Sequence, residues 1–179
     1  MLLSNGGGPE IHFFHQGPGI RKPNPIIKPV DITLAQSYSG VIVDVDSLKI
    51  HIPAGINDGN TIIIANNGQD IHLKIQVKND GPFTRDGNNL VFKHKVTLKE
   101  ALCGFKFQID HFNGNKLSFN INAIVYPGAK QIIKNLGFPQ AQAPSQAPSV
   151  PSGDLVIEFD VEFPTQLTQE QKDAIFKVL

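Results

Sequence analysis

The stretch TLKEALCG, Thr97–Gly104, decides the fold because it occurs twice. Thr33–Gly40 reads TLAQSYSG, with the same Thr-Leu opening, the same closing glycine and no cysteine. Alone, the later copy invites a reading of Cys103 as a nucleophile close to an acidic side chain. Beside the earlier copy it is a repeated structural element. Leu34 and Tyr38, or Leu98, Ala101 and Leu102, fall at helical spacing before a glycine stop, so each octamer predicts one helical turn between strands. Cys103 is then expected at the end of its turn as a small buried or half-buried residue with no sequence-adjacent base.

The features after each octamer come in one order. The first copy continues with VIVDV, SLKIHI, the turn Pro53–Gly55, TIIIANNG and DIHLKIQV. The second continues with FKFQI, LSFNINAIV, the turn Pro127–Gly128, QIIKNLG and DLVIEFDV. Position 33 answers to 97 but 70 to 154, and the excess falls at GFPQAQAPSQAPSVPSG, an Ala/Gln/Pro/Ser insertion without core-forming residues. In DIHLKIQV, Ile71, Leu73, Ile75 and Val77 alternate with His72, Lys74 and Gln76, as a half-buried strand requires. Leu155, Ile157, Phe159, Val161 and Phe163 repeat that design.

The prediction is a mainly β chain of two tandem β-sandwich-like domains of similar topology, each with a short helical turn, plus a C-terminal amphipathic helix. Residues 1–29, rich in Gly and then Pro, read as a linker with Phe13 and Phe14 in it. The first domain is expected over 30–86 and the second over 87–163, with the insertion at 139–152. Residues 164–179 hold the helix. There Thr168 and Gln171 form a capping-box pattern, and Leu167, Ala174, Ile175, Val178 and Leu179 an apolar stripe. So short a helix is marginal alone, and its stripe must pack on its own domain or on another chain.

Composition narrows the function. Sixteen Lys and Arg balance sixteen Asp and Glu, so nothing marks a nucleic-acid or anionic-membrane surface. One cysteine can form neither an internal disulfide nor a cysteine-rich zinc site, and it points to a reducing compartment, the cytoplasm. No apolar run approaches the ~18 residues of a membrane helix, and the start of the chain lacks the form of a secretory signal. No phosphate loop or GxSxG is present, and the scattered histidines and alternating carboxylates read as wet strand faces. The expectation is therefore no enzyme, no catalytic residues, no metal and no cofactor. What stands out is an apolar surplus on the leading strands, Val30, Ile32 and Leu34, then Val41, Val43 and Val45. Such stripes make a core or line an edge groove that takes an extended apolar peptide by strand addition.

The runs PVDITLAQSYSG, HIPAGINDGNTIIIANNGQ, GPFTRDGNNLVFKHKVTLKEALCGFKF and GDLVIEFDVEFPTQLTQEQKDAIFKVL resemble the C-terminal substrate-binding region of DnaJ-type co-chaperones, from about residue 28 to the end. PEIHFFHQGPG is similar to the end of that family's Gly/Phe-rich linker. The family's J domain with its His-Pro-Asp loop has no counterpart here, so the resemblance is to a part that does not itself stimulate a partner's ATPase. The cysteine-rich insertion is also absent, which implies the class without zinc, a homodimer through the C-terminal helix. The resemblance further implies a client groove at Val30, Ile32, Val43, Val45 and Phe83, unfolded polypeptides as ligands and a seventy-kilodalton heat-shock chaperone as partner. In that class, lysines on the strand after the octamer's glycine receive the partner's acidic tail. This chain has VIVDVDS there, with Lys49 on the next strand as the substitute. Two other readings compete: a structural β protein that only oligomerises, and a hydrolase on a β-sandwich.

Overall fold

The computed structural model describes residues 24–66, 69–79, 81–139 and 153–179. Most of the expected linker and insertion lies outside these residues. The first repeat runs β1 (Ile26–Thr33), α1 (Leu34–Ser39), β2 (Val41–Val45), β3 (Leu48–Ile52), β4 (Thr61–Asn66) and β5 (Gln69–Lys78). A short β6 (Phe83–Asp86) leads into the second, β7 (Asn89–Thr97), α2 (Leu98–Cys103), β8 (Phe105–Asp110), β9 (Lys116–Ile121), β10 (Lys130–Ile133) and β11 (Leu155–Glu162). Helix α3 (Gln169–Val178) follows.

The repeat is one of topology as well as of motif. In the first copy β5 lies between β1, which it pairs in parallel, and β4, which it pairs antiparallel. In the second, β11 lies between β7, in parallel, and β10, antiparallel. Each copy adds an antiparallel hairpin, β2–β3 or β8–β9. A parallel pair needs a long crossover. Here the helical turn, the hairpin and the returning strand supply it.

Each octamer forms its turn for the same local reasons. The Thr33 and Thr97 side chains accept from the backbone N–H of Gln36 and Glu100, whose side chains reach back to the threonine N–H, a reciprocal cap at both sites. Gly40 (φ 78°, ψ 159°) and Gly104 (φ 87°, ψ 159°) end the turns in a region that is essentially glycine's own.

Two cores result. The smaller holds Ile32, Ile52, Ile56 and Ile75, with Val30, Val41, Val43, Ile62 and Val77 half-buried against it. The larger gathers Leu34, Phe83, Leu90, Val96, Ala101, Ile109, Val125, Phe138 and the inward face of β11. A fully buried side chain of this size contributes about 1.5–3 kcal/mol, so most of the stabilisation lies in the second repeat.

Three expectations are corrected. The linker was expected to reach residue 29, but β1 begins at Ile26; Pro29 is tolerated because β1 is an edge strand whose only partner is β5. Residues 83–86, expected in the first domain, pair with β7 through a tight hairpin and so sit on the second sheet. Phe163, expected inward, is 63% exposed because β11 stops at Glu162. The insertion leaves through a closed neck. Phe138 N–H donates to the Asn88 carbonyl (2.7 Å) and Gly153 N–H to the Phe138 carbonyl (2.9 Å). A Cβ at Gly137 or Gly153 would collide with this backbone.

Candidate functional site: an apolar groove in the first repeat

β1 and β2 each have a strand partner on one side only, β5 and β3. Val30 on β1 and Val43 on β2 lie half-buried over the smaller core. Turn α1 joins the two strands at one end of this surface. At the other, the Lys28–Asp46 ion pair ties β1 to the residue after Val45. The result is a half-buried aliphatic strip with open strand edges beside it and an ion pair at its end. Lys49 stands opposite Asp44 in the hairpin register, so a lysine and a carboxylate sit side by side on the face of the hairpin away from Val43 and Val45.

Of the five residues expected to line the groove, three are accessible. Val30, Val43 and Val45 are half-buried. Ile32 is 2% exposed and belongs to the core beneath. Phe83 is also 2% exposed and lies elsewhere, with its ring against Phe92 (5.3 Å) and Phe112 (4.8 Å), because the β6–β7 hairpin carries it into the second repeat.

The twin repeat provides an internal comparison. Aligning Thr33 with Thr97 and Gly40 with Gly104 places His94, Val96, Phe107 and Ile109 at the positions of Val30, Ile32, Val43 and Val45. There aromatic rings take these positions, although His94 and Phe107 are half-buried just as Val30 and Val43 are. His94 stacks on Phe107 at 4.0 Å and on Phe105 at 5.7 Å, and Phe107 stacks on Phe119 at 4.9 Å. Ile109 is only 3% exposed. Burial among the rings lowers the His94 pKa below its ordinary value, with Glu100 acting weakly the other way. The expectation of solvated histidines thus fails for His94 and for His111. The latter is 4% exposed; its Nδ1 accepts from Asn113 N–H, which leaves Nε2 to donate to the Leu136 carbonyl at 2.9 Å.

A second apolar surface lies at the other end of the molecule. Leu98, Leu102, Phe163, Pro164, Leu167 and Ile175 line a cavity of about 510 Å³ between α2 and α3. Of the expected stripe, Leu167 and Ile175 face this cavity. Val178 (81% exposed) and Leu179 (88%) project outward, and Ala174 is exposed too. Phe176, 89% exposed, was missed because it falls off the helical stripe. Cys103, expected buried or half-buried, is exposed on the cavity's rim, since Gly104 and not Cys103 caps the turn. Among the described residues no helix is long and apolar enough to cross a membrane.

These features define a β-rich tandem-repeat module with a half-buried aliphatic strip on one copy and a largely exposed terminal helix. A family model described as DnaJ C terminal domain matches residues 16–164, and the chain belongs to that family. It is 34% identical over 134 residues to the human DnaJ homolog subfamily A member 2, covering 69% of this chain and 31% of that protein. To DnaJ protein homolog 1 of Allium porrum it is 32% identical, covering 78% and 36%. To Protein psi1 of Schizosaccharomyces pombe it is 29% identical, covering 97% and 53%. The chain therefore spans about a third to a half of the length of these relatives.

Proposed function

We propose that this chain is the client-binding part of a co-chaperone. Apolar segments of unfolded polypeptides lie extended along the groove of Val30, Val43 and Val45, adding to an open strand edge, and are held for a seventy-kilodalton heat-shock chaperone. The role is binding without catalysis or cofactor, in the cytoplasm, with polypeptides rather than nucleic acid or membrane as partners. Two copies join through α3, using the Leu167–Leu179 stripe and Phe176.

One observation carries the reading. Val45 is half-buried where Ile109, its twin, is sealed, and the first repeat carries aliphatic side chains where the second stacks His94 on Phe107. Backbone hydrogen bonds at an open edge supply affinity without demanding a sequence, and shallow aliphatic pockets add loose preference. Family membership supports a chaperone role, and the names of the relatives agree with it.

Titration of a fluorescent apolar heptapeptide tests the groove. Val45→Asp should weaken binding about tenfold or more, because an ionised carboxylate in apolar contact costs more than the ~1–3 kcal/mol of an unpaired buried amide or hydroxyl. Ile132→Asp, on the exposed face of β10, should not. Unchanged affinity in folded Val45→Asp overturns the assignment and leaves the reading that the chain serves assembly alone.

A further inference from the structure

Arg85, on β6 of the second sheet, reaches across to the first repeat. Its Nη1 donates to the Ile56 carbonyl at 2.7 Å and to Ser37 Oγ at 3.3 Å, and its Nη2 to the Gly55 carbonyl at 2.9 Å. Nε donates to the Gly87 carbonyl of its own hairpin at 2.8 Å. The guanidinium lies 4.0 Å over the Phe138 ring, at the neck of the insertion. Its acceptors are backbone carbonyls and a hydroxyl, so it reads the position of main chain rather than of a movable carboxylate. The corner it grips is itself stiff: Gly55 N–H donates to the Ser37 carbonyl (2.8 Å) and Ser37 Oγ to the Ile56 carbonyl (2.7 Å).

The repeat again serves as a control. Ser37 and Ala101 hold the same place in their turns and both are fully buried. The carbonyl of each accepts a backbone N–H from the loop beyond its hairpin, Gly55 to Ser37 and Val125 to Ala101. Only the first copy carries a hydroxyl at this place, and among the described residues only there does a guanidinium arrive. Tyr38 completes the joint, its ring 5.5 Å from Phe138 and 5.6 Å from Phe112. We propose that Arg85 is a positioning residue that locks the first repeat onto the second at one angle, so that the groove and α3 are presented as one rigid unit. Domains in one chain move relative to one another by default unless the interface is large and apolar. Here Leu34 and Tyr38 supply an apolar contact with the second repeat, and a planar fork of fixed donors adds direction to it.

The lock itself is independent of client binding; only its use in presenting a client rests on the proposed function. In the full chain carrying Cys103→Ser, spin labels at Ile63→Cys and Ile132→Cys, exposed positions on the two sheets, report the distance between repeats. A narrow distribution is expected with Arg85. In Arg85→Lys, which keeps the charge and loses the fork, it should broaden roughly twofold while amide spectra away from the joint stay unchanged. An equally narrow distribution in folded Arg85→Lys overturns the proposal. If that variant does not fold, Arg85→Gln takes its place, a neutral polar side chain too short to hold the Ile56 and Gly55 carbonyls together. It too should broaden the distribution, and failure to do so counts equally against the lock. Peptide affinity, measured alongside, separates the two readings: its absence in the unmodified chain removes the groove and leaves the distance result standing.

Discussion

Val30 and His94 occupy one place in two copies of a motif and meet different surroundings. Val30 packs half-buried against an aliphatic cluster, whereas His94 lies within stacking distance of Phe92, Phe105 and Phe107. That burial holds the imidazole's pKa down in the folded state, so the unfolded chain takes up the proton first as pH falls. His94 therefore contributes stability that is fully present above its ordinary value of 6.5 and is lost as pH falls through that value toward the lower folded one. Urea unfolding at about pH 7.5 and about pH 5.5 measures it. The intact chain should lose more stability between these conditions than His94→Phe does, and an equal loss would remove His94 from the account.

At the scale of the element, the two turns are held by the same three devices: a capping threonine, a reciprocal Gln or Glu, and a glycine that leaves by a route other residues avoid. Space differs between them. A Cβ on Gly104 would stand 2.7 Å from the Ile121 carbonyl oxygen, whereas one on Gly40 would stand 3.0 Å from Ile52 O and Ala54 N. Gly104→Ala combines that contact with φ +87°, and backbone strain of this kind costs about 1–3 kcal/mol. It should lower the denaturation midpoint, and by more than Gly40→Ala does. Equal or negligible shifts in both variants would show that the turns relax around the added methyl.

Across the whole molecule, the two turns have different neighbours although they are built alike. Turn α1 docks onto the second repeat, with Leu34 in the larger core and Tyr38 among its rings. In the second repeat α2 presents Leu102, the twin of Tyr38, to the segment around Phe163, Leu167 and Ile175. Helix α3 thus packs beside α2 while its outer residues find no cover among the described residues, none of its ten residues being buried. Deleting residues 168–179 should leave both sheets folded and turn a dimer into a monomer in sedimentation. Two grooves on one dimer raise the effective concentration for a client's second contact, so the shortened chain should keep its affinity for a short peptide yet protect a large unfolded client poorly. A monomeric intact chain at micromolar concentration would sink this and leave α3 as a lid on α2.

The duplicated octamer, the alternation in DIHLKIQV and DLVIEFDV and the capping box at Thr168 are local patterns, and they alone determined the strands, the turns and the repeat. Hydrogen bonds and side-chain periodicity within a few residues suffice for that. The groove strands were legible too, as a surplus of β-branched residues at Val30, Val43 and Val45. Which of those residues stay open was decided only in three dimensions. Ile32 and Val30 differ by one step of the same alternation, and only the packing of β1 over Ile52, Ile56 and Ile75 seals the first and leaves the second half open. Phe83 was drawn away by a hairpin that pairs forward rather than back. Arg85 reads in sequence as one polar residue in an exposed turn. Its role depends on carbonyls at Gly55 and Ile56, about thirty residues earlier, and contacts at that separation exist only once the chain has closed on itself.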